Sequence, residues 1–224
     1  MMTIETRRAR QKALLRQEII DAARDILARE GYEQLSMRKV AERIEYSPTA
    51  IYLHFQDKRD LVFQVCEETF ARLVVELSSL ESEQKDPVER LRGALHRYVA
   101  FGLRHPQHYL ATFVAVPAEQ LPEDIERYNN PESNGMRALG VLRAIVVACV
   151  DARKIRKVDP DVATRVLWSA VHGVTALLIQ MPDFAWGEQQ KVVDGLIETL
   201  IEGLRPSRDE RRPVLRKPGR IAEG

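Results

Sequence analysis

Leu35-Ser36-Met37-Arg38-Lys39-Val40-Ala41-Glu42-Arg43-Ile44-Glu45-Tyr46-Ser47-Pro48-Thr49-Ala50-Ile51-Tyr52-Leu53-His54-Phe55 reads as two short helices joined by a tight turn. Ser36 supplies a hydroxyl N-cap, and Met37, Val40, Ala41 and Ile44 then recur on one helical face. Ser47-Pro48 opens the second helix with a hydroxyl cap and a proline at the first helical position, where its missing N–H costs nothing. Followed by Asp57-Lys58, the pair has the design of a helix-turn-helix whose second helix enters the DNA major groove. Val40, Ala41, Ile44, Ile51 and Tyr52 are spaced to share a small core with Ile19, Ala23 and Ile26 of a helix upstream.

Helical periodicity continues on both sides. Upstream, Ile19, Ile20, Ala23, Ile26 and Leu27 mark a helix over 16–30, which Gly31 ends. Downstream, Asp57 caps a helix with Asp60 at N3, and Leu61, Val62, Val65, Phe70, Leu73 and Leu77 carry it to about Leu80. Beyond a polar break at 84–87, helices are expected near 87–104, 106–115, 133–154, 160–180 and 188–204, with prolines at or between their ends. The acidic segment 118–130, with Pro122, reads as a loop. Strand-like alternation is absent, so the expected fold is all-α: an N-terminal three-helix helix-turn-helix domain and a C-terminal helical ligand-binding and dimerisation domain. The expected division is a basic N-terminal arm over 1–15, the DNA-binding domain over 16–62, the effector and dimer domain over 63–205, and a disordered basic tail over 206–224.

An apolar content of 45% with 30% charged residues describes a chain with a real core. The net charge of +1 hides a local bias: Arg7, Arg8, Arg10, Lys12 and Arg16 precede Gln17 against the single acid Glu5. This run reads equally as a phosphate or minor-groove contact and as a solvated terminus. Cys66 and Cys149 have neither disulfide-framework nor metal-type spacing. The N-terminus lacks an apolar signal core, and the longest apolar run, 144–150, is short of the roughly 18 residues a membrane helix needs. A cytoplasmic protein without a membrane partner is the expectation.

The start of the recognition helix points Pro48, Thr49 and Ala50 toward base edges, where the Thr49 hydroxyl can hydrogen-bond and Ala50 can touch a thymine methyl. Tyr52 and His54 are suited to phosphates, and Lys58 combines its ammonium with the free N–H groups of the next helix. With Arg38 and Ser47, these residues form the candidate DNA-binding set.

Residues 16–63 resemble the N-terminal domain of the TetR (tetracycline-repressor-like) family of bacterial transcriptional regulators. The resemblance rests on Ile19, Ala22, Ala23 and Leu27, on Gly31-Tyr32, on Ser36-Met37-Arg38-Lys39-Val40-Ala41, on Ser47 to Phe55, and on Asp57-Lys58-Arg59-Asp60-Leu61. It implies a helical homodimer, a palindromic operator in double-stranded DNA and release on binding a small molecule, with Thr49, Tyr52, His54 and Lys58 at DNA-contact positions. Recognition helices one DNA turn apart, roughly 34–36 Å, would spread when effector shifts the helix beginning at Asp57. Repression by blocking polymerase is the expected mode. One departure is Glu45, where the family's turn usually carries glycine. Leu167-Trp168-Ser169-Ala170-Val171-His172-Gly173 resembles, in part only, the corresponding helix of a subgroup named for a Trp-His-Gly motif.

For a small organic effector, candidates are Phe70, Phe101, His105, Tyr109, Phe113, Arg143, Trp168 and His172, with Arg143 able to pair a carboxylate. Any single one of these aromatics reads more readily as plain core than as a ligand contact, and His172 as a hydrogen-bonded core histidine. A broad apolar stripe over Val192, Val193, Leu196, Ile197, Leu200, Ile201 and Leu204, with Val162, Val166, Ala170, Gly173 and Leu177 on the helix before, suits a four-helix dimer bundle or an intrachain core. A metal-responsive repressor using His96, His105, His108, Cys149 and His172 is the rival reading, although no metal-binding or cofactor motif is present. An enzyme is disfavoured: there is no Gly-rich phosphate loop, nucleophile elbow or metalloprotease motif, and Glu67-Glu68 reads as a solvated face.

Overall fold

The structure, a computed structural model, describes residues 4–80, 84–115 and 125–206. Its helices are α1 (Ile4–Glu30), α2 (Met37–Arg43), α3 (Pro48–Tyr52), α4 (Lys58–Ser78), α5 (Pro87–Arg104), α6 (Pro106–Phe113), α7 (Ile125–Tyr128), α8 (Asn134–Asp151), α9 (Pro160–Gln180) and α10 (Gln189–Gly203), with a 3-10 turn at Tyr32–Gln34. No strand occurs among the described residues. Helix starts follow local chemistry: α3, α5, α6 and α9 each begin on a proline. The side chains of Ser36, Ser47, Asp57, Asp86, Ser133 and Asp159 accept from backbone N–H groups of the helices they precede.

Two apolar clusters form the interior. The first gathers Ile19, Ala23, Ile26 and Leu27 of α1, Val40 and Ala41 of α2, Ile51 of α3, Phe55, and the start of α4 through Cys66, with Ala111 of α6 inserted. The second gathers the end of α4 with α5, Tyr109 of α6, α8, α9 and α10. Helix α4 runs through both, and α6 packs on α1 as well as α4, so the two clusters are tied at two places.

The ties are polar as well. Arg24 of α1 is buried and donates to Asp21 and to Glu68 of α4, both at 2.6 Å, while Glu68 also takes Gln17 and Arg72. The Glu67-Glu68 pair is therefore no solvated face. Glu68 joins two helices, and Glu67 accepts from the backbone N and side-chain amide of Asn134 at the start of α8.

Three further expectations change. Helix α1 begins at Ile4 rather than near Arg16, so residues 4–15 are helix; their side chains from Thr6 to Leu14 are exposed and carry no apolar face to reveal the helix in sequence. The segment read as a loop over 118–130 contains α7, its residues 118–124 lying outside the described set. Tyr52, expected in the small core, is exposed, and Ile51 alone plugs α3 into it. Apart from Pro206, the expected tail lies outside the described residues.

Helix α9 is long and apolar enough to cross a membrane by length and composition, but it packs against α5, α8 and α10 inside the helical body. Its outer face leaves Val162, Val166, Leu177 and Met181 exposed. In contrast, Val193, Ile197, Ile201 and Leu204 of α10 are buried against the chain's own core, so most of that stripe is intrachain.

Candidate DNA interface and effector cavity

Helix α2 ends on a C-terminal turn in which Glu45 N donates to Glu42 O at 3.3 Å and Tyr46 N to Ala41 O at 2.9 Å. That double bond pattern is a Schellman turn, which places its C′ residue in the left-handed region. Glu45 sits there with φ 59°. The turn delivers Ser47, whose Oγ accepts from Ala50 N at 3.3 Å and fixes the start of α3.

Ser47, Pro48, Thr49 and Tyr52 are exposed and Ala50 is half-buried, so the recognition-helix candidates share a solvent-facing surface anchored by buried Ile51. Arg38 on α2 is exposed and held by Glu42 at 2.8 Å, a partner a phosphate would have to compete with. Its guanidinium pKa is raised by the Glu42 hydrogen bond. Lys58, the first residue of α4, lays its Nζ 3.8 Å from the Tyr32 ring centroid; burial lowers its pKa, against an opposing pull from Glu33. His54 is half-buried, and its Nδ1 has no hydrogen-bond partner among the described residues. Burial, then the charges of Lys12 and Arg16, hold its pKa low. Two exposed residues beside this set, Tyr46 and Leu53, were not expected. Tyr46 could have been found as the aromatic directly preceding the Ser47 cap.

A cavity of about 610 Å³ lies between α4, α5, α8 and α9, with Tyr128 and Asn129 at the end of α7 beside it. Its walls are chiefly apolar: Phe70, Leu73 and Leu77 of α4, Leu95 of α5, Met136, Leu139 and Leu142 of α8, and Trp168 of α9. Polar groups are few, among them Glu67, Ser133, Tyr98, Arg165 and Ser169.

Of the expected effector residues, Phe70 and Trp168 line this cavity and the others do not. Phe101 and Tyr109 are buried in the second cluster. Phe113 packs edge-on behind Phe70, ring centroids 5.3 Å apart. His105 closes α5, its ring tilted against Phe101 and edge-on to His108. Arg143 points away on the exposed side, paired with Asp161 at 3.0 and 3.1 Å.

His172 lies one layer behind the wall, its Nδ1 2.6 Å from the Tyr109 hydroxyl and 3.2 Å from that of Tyr98. Trp168 Nε1 donates to the Tyr98 hydroxyl at 3.3 Å, extending the chain of contacts to the cavity surface. Burial pushes the Tyr98 phenol up to about 12, pushes that of Tyr109 upward and holds the His172 imidazole down, all shifts that favour the neutral forms. Sequence reasoning missed Tyr98, Glu67 and Arg165. Tyr98 carried the same aromatic signal as Tyr109, but only packing shows which one reaches the cavity. Among the described residues no group of three His, Cys, Asp or Glu side chains is placed to hold a metal ion, so the expected histidines and Cys149 do not converge.

The end of α7 connects the two regions. Arg127 donates to Asp60 at 2.6 Å and lies 3.9 Å over the Phe63 ring, which also meets Tyr128 edge-on at 5.3 Å. Asp60 sits in the first turn of α4 and also accepts from Gln56 N at 3.2 Å.

Comparison with known proteins agrees with this geometry. Residues 19–65 match the model for bacterial regulatory proteins of the tetR family, and residues 91–204 match the tetracyclin repressor-like C-terminal domain. A fatty acid metabolism regulator protein of Bacillus subtilis (strain 168) is 23% identical over 163 residues, covering 72% of this chain and 82% of that protein. The transcriptional repressor AcnR of Corynebacterium diphtheriae is 38% identical over 61 residues, 27% of this chain and only 32% of its own length. In fold, the chain resembles the crystal structure of the regulator FadR from Bacillus subtilis in complex with stearoyl-CoA, with a TM-score of 0.72, 17% identity, and coverage of 84% and 99% of the two chains.

Proposed function

The chain belongs to the TetR family of bacterial regulatory proteins, and from that premise we propose that its cavity takes an amphipathic effector whose binding releases the protein from its operator. The protein is a DNA-binding transcriptional regulator, with α2 and α3 as its helix-turn-helix. The observation that carries the effector reading is the shared lining: Glu67, Phe70, Leu73 and Leu77 of α4 face the cavity, while the first residue of that helix, Lys58, follows α3 by six positions. A ligand that moves α4 moves the DNA-reading surface. The α7 strap gives a second route, from Tyr128 and Asn129 through Arg127 and Asp60 to the turn after α3.

The cavity volume lies inside the range of about 300–1,000 Å³ typical of small-molecule sites. Apolar walls suit an aliphatic body, and Arg165 at the rim, rather than Arg143, suits an acidic head group. A long-chain acyl compound meets both demands. The named role of the B. subtilis relative and the stearoyl-CoA bound to B. subtilis FadR favour that class.

We further assign a homodimer about the exposed face of α9, a palindromic operator read by two recognition helices roughly 34–36 Å apart, and repression by occlusion of polymerase. The division between DNA-reading and regulatory parts falls within α4. The protein acts in the cytoplasm and catalyses no reaction.

The test is titration of stearoyl-CoA, and shorter acyl-CoAs, into the complex with the protein's own upstream intergenic DNA. Release is expected, and Leu139→Trp, which fills the cavity, should abolish it while leaving DNA affinity unchanged. Failure of every chain length to release DNA would overturn the acyl class. Release that survives Leu139→Trp would overturn the cavity assignment.

A further inference from the structure

Residues 4–15 precede the matched family region, which begins at Ile19, yet they are part of a single 27-residue helix with the first helix of the DNA-reading unit. In a helix, residues four apart stack on one face, about 6 Å from one to the next. Arg8, Lys12 and Arg16 form such a row.

The inner end of the row is anchored to the DNA-reading unit. Arg16 Cζ lies 5.1 Å from the Phe55 ring centroid, and its Nη2 donates to Gln64 Oε1 at 2.6 Å. Lys12, one turn outward, lies close enough to act, with Arg16, on the His54 imidazole just after α3. Arg8 is a further turn outward on the same line. Arg7, Arg8, Arg10 and Lys12 are exposed, and among the described residues neither Arg8 nor Lys12 makes a salt bridge. At 3.6 residues per turn, Arg7 and Arg10 stand on the opposite side of the helix.

We propose that Arg8 and Lys12 form a second DNA-binding element, a rigid helical rail that contacts the phosphodiester backbone beside the groove occupied by α3. The inference rests on the DNA-binding reading of α3 and adds to it a contact surface outside the helix-turn-helix. A rail of this kind adds affinity through counterion release and carries no base readout, so it strengthens binding to any duplex by the same factor. Because the row is prebuilt on a helix, little ordering entropy is lost when it binds.

The experiment compares two double variants of equal charge change, Arg8→Ala/Lys12→Ala and Arg7→Ala/Arg10→Ala. All four positions are exposed, and circular dichroism confirms folding before binding is read. Anisotropy of a fluorescein-labelled duplex from the upstream intergenic region, and of an unrelated duplex of equal length, is followed across a salt series. Arg8→Ala/Lys12→Ala should reduce the slope of log affinity against log salt by about 1.8, roughly 0.9 for each of two lost phosphate contacts, on both duplexes. Arg7→Ala/Arg10→Ala should change it by less than half as much. Equal effects of the two pairs, or no change in either, would overturn the rail while leaving the helix-turn-helix reading standing. Wild-type protein that bound neither duplex would overturn both.

Discussion

Glu45 occupies a left-handed backbone position closed by two Schellman bonds, and a side chain there costs roughly 1 kcal/mol relative to glycine. Arg153, with φ 53°, ends α8 in the same way, Arg153 N bonding Val150 O and Lys154 N bonding Cys149 O. Glu45→Gly and Arg153→Gly should each raise stability by about 1 kcal/mol in denaturant unfolding. Only Glu45→Gly should also tighten DNA binding, because it removes a carboxylate next to the recognition helix. Equal DNA affinities for the two variants would mean Glu45 lies away from the phosphates. His108 offers a pH prediction. Burial first, then Arg24 and Arg72, hold its pKa at about 4 despite Glu68, with His105 adding a small push downward and Thr69 Oγ1 3.5 Å from its Nδ1. The unfolded chain protonates this imidazole near 6.5, so folding stability falls as pH drops from about 6.5 to about 4. His108→Asn should flatten the melting temperature over that window; an unchanged profile would assign the acid loss to the other imidazoles that burial holds low, His54 and His172.

At the scale of elements, sequence legibility followed local chemistry. Pro87 and Pro160, each behind a capping aspartate, and Pro106 without a side-chain cap mark the starts of α5, α9 and α6 because the start of a helix is decided by a few adjacent residues. The helical extension at 4–15 was invisible because it buries no face, and α7 was invisible because four residues give no periodicity. The helix-turn-helix itself was legible from its caps and spacing. The cavity was largely not, since Phe101, Tyr109 and Phe113 give the same aromatic signal as Phe70 and Trp168, and Arg143 finds its partner Asp161 eighteen residues away on another helix. One close helix crossing is also a packing fact. A Cβ on Gly102 of α5 would overlap Thr175 Cγ2 of α9 and stand 3.0 Å from the Tyr109 ring, all in buried surroundings. Gly102→Ala should therefore cost about 1–3 kcal/mol despite alanine's better helix propensity, and stability equal to wild type would show that the crossing can yield.

In the whole molecule, α4 and α7 join the DNA-reading end to the cavity, and the proposed dimer would pair two copies through α9. Val162, Val166 and Leu177 of α9, with Met181 just after it, are exposed apolar side chains on a helix whose buried side meets α5, α8 and α10, while α10 turns its stripe inward. Val166→Asp should yield a monomer in light scattering, with intact helicity and weakened operator binding; a dimer in that variant would move the interface elsewhere. The measurement that tests the central claim most directly is binding of the purified protein to its own upstream intergenic DNA, compared with Tyr52→Phe and Lys58→Ala. Saturable, salt-dependent binding that each substitution weakens several-fold is the predicted result. Wild-type affinity and an unchanged salt slope in both variants would contradict the placement of α3 and the start of α4 on DNA.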